Sequence, residues 1–361
     1  IALNVVAIAG LMDKVAEAFP DTAWVCRPVH AFLVTESSTL AILCLLRFLT
    51  VRRHTSGLQR LLLVDELQSK RATASLSTLL VTMQFLAAEL APRIHRAAFA
   101  LSHTCWVVNL VVCVHFLRLC RRKRSPIEPF WFQATAAIGS MAIIGPAVHS
   151  PPSVQIFSLA ACTVFVLFQY PLCLARVLRF PKSVAPDPTC FILMGPVPFL
   201  TLALFSARRG LVGSEHSPVL GRSGKDVFFA LNCCNVILGI VCAAQRRRRL
   251  WALACPFHPS WASLTFPLVS NCTAALVYSM DFEWELSHGD ATPTEEAWLR
   301  WLSVQWAAVL VPVTLTLVPL LDVLWMVHLP SWFLGKPPPP PESVGGDDGD
   351  DGDDGDDGDD G

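Results

Sequence analysis

The chemically capable residues of this chain lie mostly inside or beside long apolar runs. Glu36, Glu89 and Asp322 each interrupt such a run. An ionisable group at that depth is costly, and it marks an ion path, a proton relay or a paired charge. Glu89 has Arg93 and Arg96 close by in sequence, so it is a candidate either for proton coupling or for a snorkelling salt bridge. Gly221-Arg222-Ser223-Gly224 has the form of an intramembrane serine nucleophile. That chemistry needs a serine at membrane depth with a histidine in reach, whereas Ser223 stands in a charged stretch with Lys225 and Asp226. Asn271-Cys272-Thr273 matches a glycosylation sequon but falls within an apolar run, where no transferase reaches it. The 13 cysteines show no zinc spacing and read as small apolar fillers. No metal or cofactor is implied. Arg246 to Arg249 reads as a membrane-flanking anchor, not as a nucleic-acid patch.

Apolar residues make up 53% of the chain's 361 residues, charged residues only 16%, and mean hydropathy is +0.48. A soluble domain carries about a quarter charged residues. The composition therefore excludes an ordinary soluble enzyme and points to an all-helical polytopic membrane protein. The net charge of −1 is a sum of unlike parts. Residues 347–361 are five copies of Asp-Asp-Gly, and without those ten aspartates 28 basic residues stand against 19 acidic, a balance of +9.

Positioning any site in such a chain falls to membrane-crossing helices of about 20 apolar residues. Apolar segments occur near 1–12, 29–51, 73–91, 97–117, 130–149, 154–175, 190–207, 227–244, 260–280 and 301–328. The first is too short to cross alone and reads as the end of a span that begins earlier. The total is ten. With a cytosolic amino terminus, the inner connections and tail hold 18 basic residues and the outer ones nine, which predicts both termini inside. The short separations around Pro92 and at 149–153 predict helical hairpins, five in all. Four prolines fall in odd-numbered spans, Pro146, Pro196, Pro198 and Pro267, and Pro171 lies near the inner end of span six. Proline removes a backbone donor and kinks a helix. In lipid the freed carbonyl must find another partner. Kinked odd-numbered helices form an inner ring around a path, or are packing kinks with no pore.

Two segments carry a more specific signal: RFPKSVAPDPTCFILMGPVPFLTLAL at 179–204 and CPFHPSWASLTFPLVSNCTAALVYS at 255–279. They resemble the tellurite-resistance/dicarboxylate transporter family, which includes slow-type anion channels, sulfite pumps and malate permeases. Trp261, Thr265, Phe266 and Pro267 match its span-nine motif. Gly195, Pro196 and Pro198 stand where the family has a proline motif in span seven, although adjacent prolines are more usual there.

The resemblance implies ten spans as five hairpins, with odd-numbered helices around a central pore, in residues 1–335. It implies Phe266 as the pore gate, with Pro146, Gly195, Pro196, Pro198 and Pro267 at helix kinks lining the pore. An aromatic ring in a narrow pore blocks conduction by excluding water. No Lys or Arg lies mid-span, so hydroxyls such as Ser77, Thr78, Thr82, Ser140 and Thr265 are the candidate replacements for anion hydration. The implied partners are small anions (inorganic anion, sulfite or dicarboxylate), the lipid bilayer of the plasma membrane and two further copies in a homotrimer. No nucleic-acid partner is implied. The other reading of the composition is a non-transporting multispan protein of viral envelope or scaffold type. Residues 336–361, with five prolines at 337–341 followed by the acidic repeat, read as a disordered cytosolic tail.

Overall fold

A computed structural model describes residues 2–48, 51–53, 59–61, 67–123, 127–179, 188–211, 222–245, 262–287 and 297–334. The acidic repeat, Trp261, Gly221 and the arginines at 246–249 lie outside these residues. The described chain is almost wholly helical. We number ten helical segments in chain order: α1 (Ala2–Ala18), α2 (Ala23–Phe48), α3 (Lys70–Leu90), α4 (His95–Arg122), α5 (131–144), α6 (Pro152–Arg179), α7 (188–211), α8 (Arg222–Gln245), α9 (Ala262–Ser287) and α10 (Ala297–Leu334). Five carry long apolar stretches sufficient to cross a membrane, and α5, α7, α8 and α9 carry shorter ones. In the connection after α2, Val51–Arg53 (β1) pairs antiparallel with Gln59–Leu61 (β2).

The ten segments occupy the ten predicted spans, with local differences. α1 continues to Ala18, beyond the apolar run. Lys14, expected in an outer connection, lies inside this helix and pairs with Glu17 one turn on. Pro28 and Pro171 sit within α2 and α6, and Pro312 and Pro319 within α10, so prolines are not confined to the odd-numbered segments.

Consecutive segments pack as hairpins, α1 with α2 through to α9 with α10. The odd-numbered segments also pack on one another in order: α1 on α3, α3 on α5, α5 on α7, α7 on α9, and α9 back on α1. That closes a five-membered ring. Among the described residues, no two even-numbered helices share an extensive face. Even-numbered helices therefore form an outer layer, each seated on the inner ring.

Exposure follows the same division. The exposed large apolar side chains lie on even-numbered helices or in two turns, for example Phe32 in α2, Val111 in α4, Leu167 and Phe168 in α6, Ile240 in α8 and Val327 in α10. Such a surface is unfavourable in water but suits hydrocarbon. Inside, a cluster on α1, α7, α9 and α10 includes Leu11, Met194, Leu276 and Val318. Another joins α4, α5, α6 and α7 through Phe116, Phe132, Cys162 and Phe199. A third joins α1, α2, α3 and α5 through Val5, Leu40, Val81 and Ala137.

Candidate functional site

Three consecutive inner segments are irregular. α5 runs as α-helix Trp131–Thr135, 3-10 helix Ala136–Gly139, then α-helix Ser140–Ile144. Gly139 sits at the end of the 3-10 stretch, where a Cβ would come 2.8 Å from Cys162 Cβ and 3.1 Å from Phe199 Cε1. Only glycine lets α6 and α7 approach this closely. Pro146, expected to kink this span, lies in the turn at 145–149 and so ends α5 instead of bending it.

α7 opens as the 3-10 helix Pro188–Met194, breaks at Gly195 and resumes as Pro196–Leu211. The cause is in the sequence. Pro196 and Pro198 have no N–H, so the carbonyls of Ile192 and Met194 lose their helical donors. Gly195 N–H donates to Ile192 O at 2.9 Å, a tighter turn that restores one partner. The Met194 carbonyl receives two side-chain amides: Asn235 Nδ2 of α8 at 2.7 Å and Asn271 Nδ2 of α9 at 2.9 Å. Phe199 N–H donates to Gly195 O at 3.0 Å, and the helix is regular from there. A buried carbonyl left unpaired costs several kcal/mol in a membrane interior, so the two asparagines make this break tolerable.

α9 carries Pro267 inside a continuous helix. Its carbonyl accepts from Ser270 Oγ at 3.0 Å and from Asn271 Nδ2 at 2.7 Å. Phe266, half-buried, packs against both the cluster on α4, α5, α6 and α7 and the one on α1, α2, α3 and α5. Its ring centroid lies 6.1 Å from that of Phe199, tilted by 54°. A Cβ placed on Gly195 would stand 4.0 Å from the Phe266 ring and 3.6 Å from Pro267. Gly195, Pro267 and Phe266 are thus one assembly, and Pro196 and Pro198 set the break beside it.

Of the hydroxyls predicted from the sequence, Ser77, Thr82, Ser140 and Thr265 are deeply buried and Thr78 is part-buried. Thr82, in the middle of α3, donates back to Thr78 O one turn earlier at 2.9 Å. Ser140 donates to Gln84 Oε1, joining α5 to α3. Thr265 is fully buried next to Phe266. Ser77 Oγ and Gln84 Nε2 are buried on α3 with no protein partner. Glu89 is held by His30 Nε2 of α2 at 3.0 Å, rather than resting on Arg93 or Arg96, both exposed. Asp322 is buried on the outer helix α10, and Glu36 is part-buried on α2. Among the described residues, no three His, Cys, Asp or Glu side chains converge in metal-binding fashion.

The inner ring thus closes on itself with three of its five segments broken or kinked, and the outer helices turn apolar faces outward. The profile of the SLAC1 family, described as voltage-dependent anion channels, matches residues 4–320. The chain belongs to this family. It is an integral, multi-pass membrane protein of a class that moves anions and is not enzymatic. The match runs from α1 into α10 and so includes all ten segments. No individual curated protein matches the chain.

Three contributors to this family member's inner ring are not legible as such in the sequence. Asn271 reads only as a sequon, and Asn235 and Gln84 carry no local signal. The missed signal was backbone accounting: Pro198 deprives Met194 of its donor, so a neighbouring segment must supply one.

Proposed function

We propose that the chain conducts small anions (inorganic anion, sulfite or dicarboxylate) along the axis of the odd-numbered ring, and that Phe266 closes this path. The observation that carries the reading is the position of Phe266 on α9 where the cluster on α4, α5, α6 and α7 meets the one on α1, α2, α3 and α5. An aromatic ring there leaves no continuous column of water. Thr82, Ser140, Thr265 and Gln84 are neutral polar groups buried on the inner segments, and of these the Gln84 Nε2 amide has no protein partner and offers a neutral donor. Neutral donors support passage, because a fixed cation would hold the anion too tightly to release it.

The reading extends to the surroundings of the pore. The apolar faces of the even-numbered helices support a lipid boundary, and the basic bias of the inner connections supports cytosolic termini. Plasma-membrane residence and homotrimer formation follow from the family resemblance.

The test is anion efflux from proteoliposomes, with chloride, nitrate, sulfite and malate run in parallel. Phe266→Ala is expected to raise efflux of at least one of them on the order of tenfold at equal protein density. Unchanged efflux of all four in a folded, reconstituted variant would remove Phe266 from the gate.

A further inference from the structure

We propose that Asn271 and Asn235 are positioning residues for the gate: together they clamp the α7 break at the Met194 carbonyl and so hold the Phe266 ring against Gly195. The inference rests on Phe266 being the gate and names what keeps it there.

The clamp is built from a forced vacancy. Pro198 cannot donate to Met194 O, and two amides from different helices fill the place. The Asn271 amide also donates to Pro267 O, so one NH2 group ties the proline turn of α9 to the break of α7. Both its hydrogens are used, and Asn271 Oδ1 has no protein partner. The role of Asn271 here is therefore donation. On the opposite side, Tyr170 O–H of α6 donates to Asn235 Oδ1 at 2.6 Å and orients that amide. The Met194 side chain lies on Gly239 of α8, where any Cβ would collide with its thioether. Met194 is thus held through both backbone and side chain.

The clamp touches the gate through covalent neighbours. Gly195 follows the clamped carbonyl and faces both the Phe266 ring and Pro267. While the amides hold Met194, α7 and α9 cannot separate and the ring has no room to turn. Releasing the amides frees the carbonyl, the proline turn and the ring together. All the bonds are between neutral groups, which can exchange without moving a charge through the membrane.

Asn232 is the natural control. It too is a buried α8 asparagine reaching α7, through Nδ2 to Thr201 Oγ1 at 3.0 Å, but it does not touch the break. Asn271→Leu and Asn235→Leu are expected to raise chloride, nitrate, sulfite or malate efflux between about threefold and tenfold, and Asn232→Leu to leave it unchanged. Two results separate positioning from mere loss of packing. In a Phe266→Ala background, Asn271→Leu adds nothing, because there is no ring left to hold. Pro198→Ala supplies Met194 O with a donor from α7 itself but not the tie to α9, so it is expected to recover thermal stability lost in Asn271→Leu without returning its efflux to the basal rate.

Efflux from Asn271→Leu equal to that of Asn232→Leu, or adding independently to Phe266→Ala, overturns the clamp while the gate stands. No effect of Phe266→Ala itself overturns both. If Asn271→Leu alone fails to fold, Asn235→Leu with and without Phe266→Ala decides the matter by the same comparison.

Discussion

Ser140 and Gln84 are fully buried on facing inner segments, and the hydroxyl of one donates to the carbonyl of the other. A hydrogen bond of this kind contributes little net stability in a membrane, yet breaking it from one side leaves a buried acceptor with nothing to accept. Ser140→Ala is therefore expected to cost about 1 kcal/mol. Adding Gln84→Leu should recover part of that loss, since both polar partners are then gone. Thermal unfolding of the purified protein in detergent tests this double-mutant cycle. Equal loss from the two single changes and full additivity in the double would show that the pair is not coupled. At this scale the sequence was only partly legible. Ser140 could be named as a polar group in an apolar span, but its partner Gln84 could not, because α3 and α5 meet through a fold whose register no local pattern records. Glu89 is the same case: Arg93 and Arg96 are near in sequence, while His30, 59 positions away, is near in space.

The helices themselves were legible because hydrocarbon imposes one requirement, a long apolar run, that a sequence displays directly. All ten segments and their pairing into hairpins follow from it. Their interruptions were read less well. Pro146 reads as a kink, but Gly145 and the turn after it end α5 at Ile144, so the proline sits beyond the helix. The real break in α5 is a 3-10 stretch containing no proline. It comes from close packing, with Gly139 leaving room for Cys162 and Phe199. This gives an element-scale prediction. Gly139→Ala forces α6 and α7 away from α5, an overpacking that costs about 1–3 kcal/mol. Gly10→Ala, on the inner segment α1, meets no heavy atom within 4 Å and should be neutral or mildly stabilising. Melting temperatures of the two variants should separate by several degrees, with Gly139→Ala the lower. Matching values would mean that the α5–α6 approach is not a constraint on the fold.

At the scale of the whole molecule, the charge is as unevenly arranged as the apolar surface. The ring interior has no Lys or Arg in mid-span, and the basic residues gather in the connections and at helix ends. At one such end, Lys70, Arg71 and Lys123 line a cleft of about 500 Å³ with Glu128 and Phe130. Arg71 lies over the Phe130 ring at 5.9 Å, and Lys123 donates to Gln68 O. The ten aspartates of the repeat carry enough charge to reverse the sign of the rest of the chain. Opposite charges on one side of a membrane attract over roughly 10 Å at 0.1 M salt and hardly at all at 1 M. With the proposed cytosolic carboxyl terminus, the repeat is expected to lower the local concentration of permeant anions at the inner mouth by repelling them and by neutralising basic connections. Deleting 343–361 shifts the net charge from −1 to +9. Anion efflux at low ionic strength is expected to rise about two- to fivefold on this deletion, and the difference to vanish near 1 M salt as the field is screened. The measurement is efflux from proteoliposomes across that salt range, with the cytosolic face oriented inward. A truncated chain with the same flux and the same salt dependence as the full chain would show that the two halves of the charge balance act independently, one as a topology signal and the other as an appendage without effect on transport.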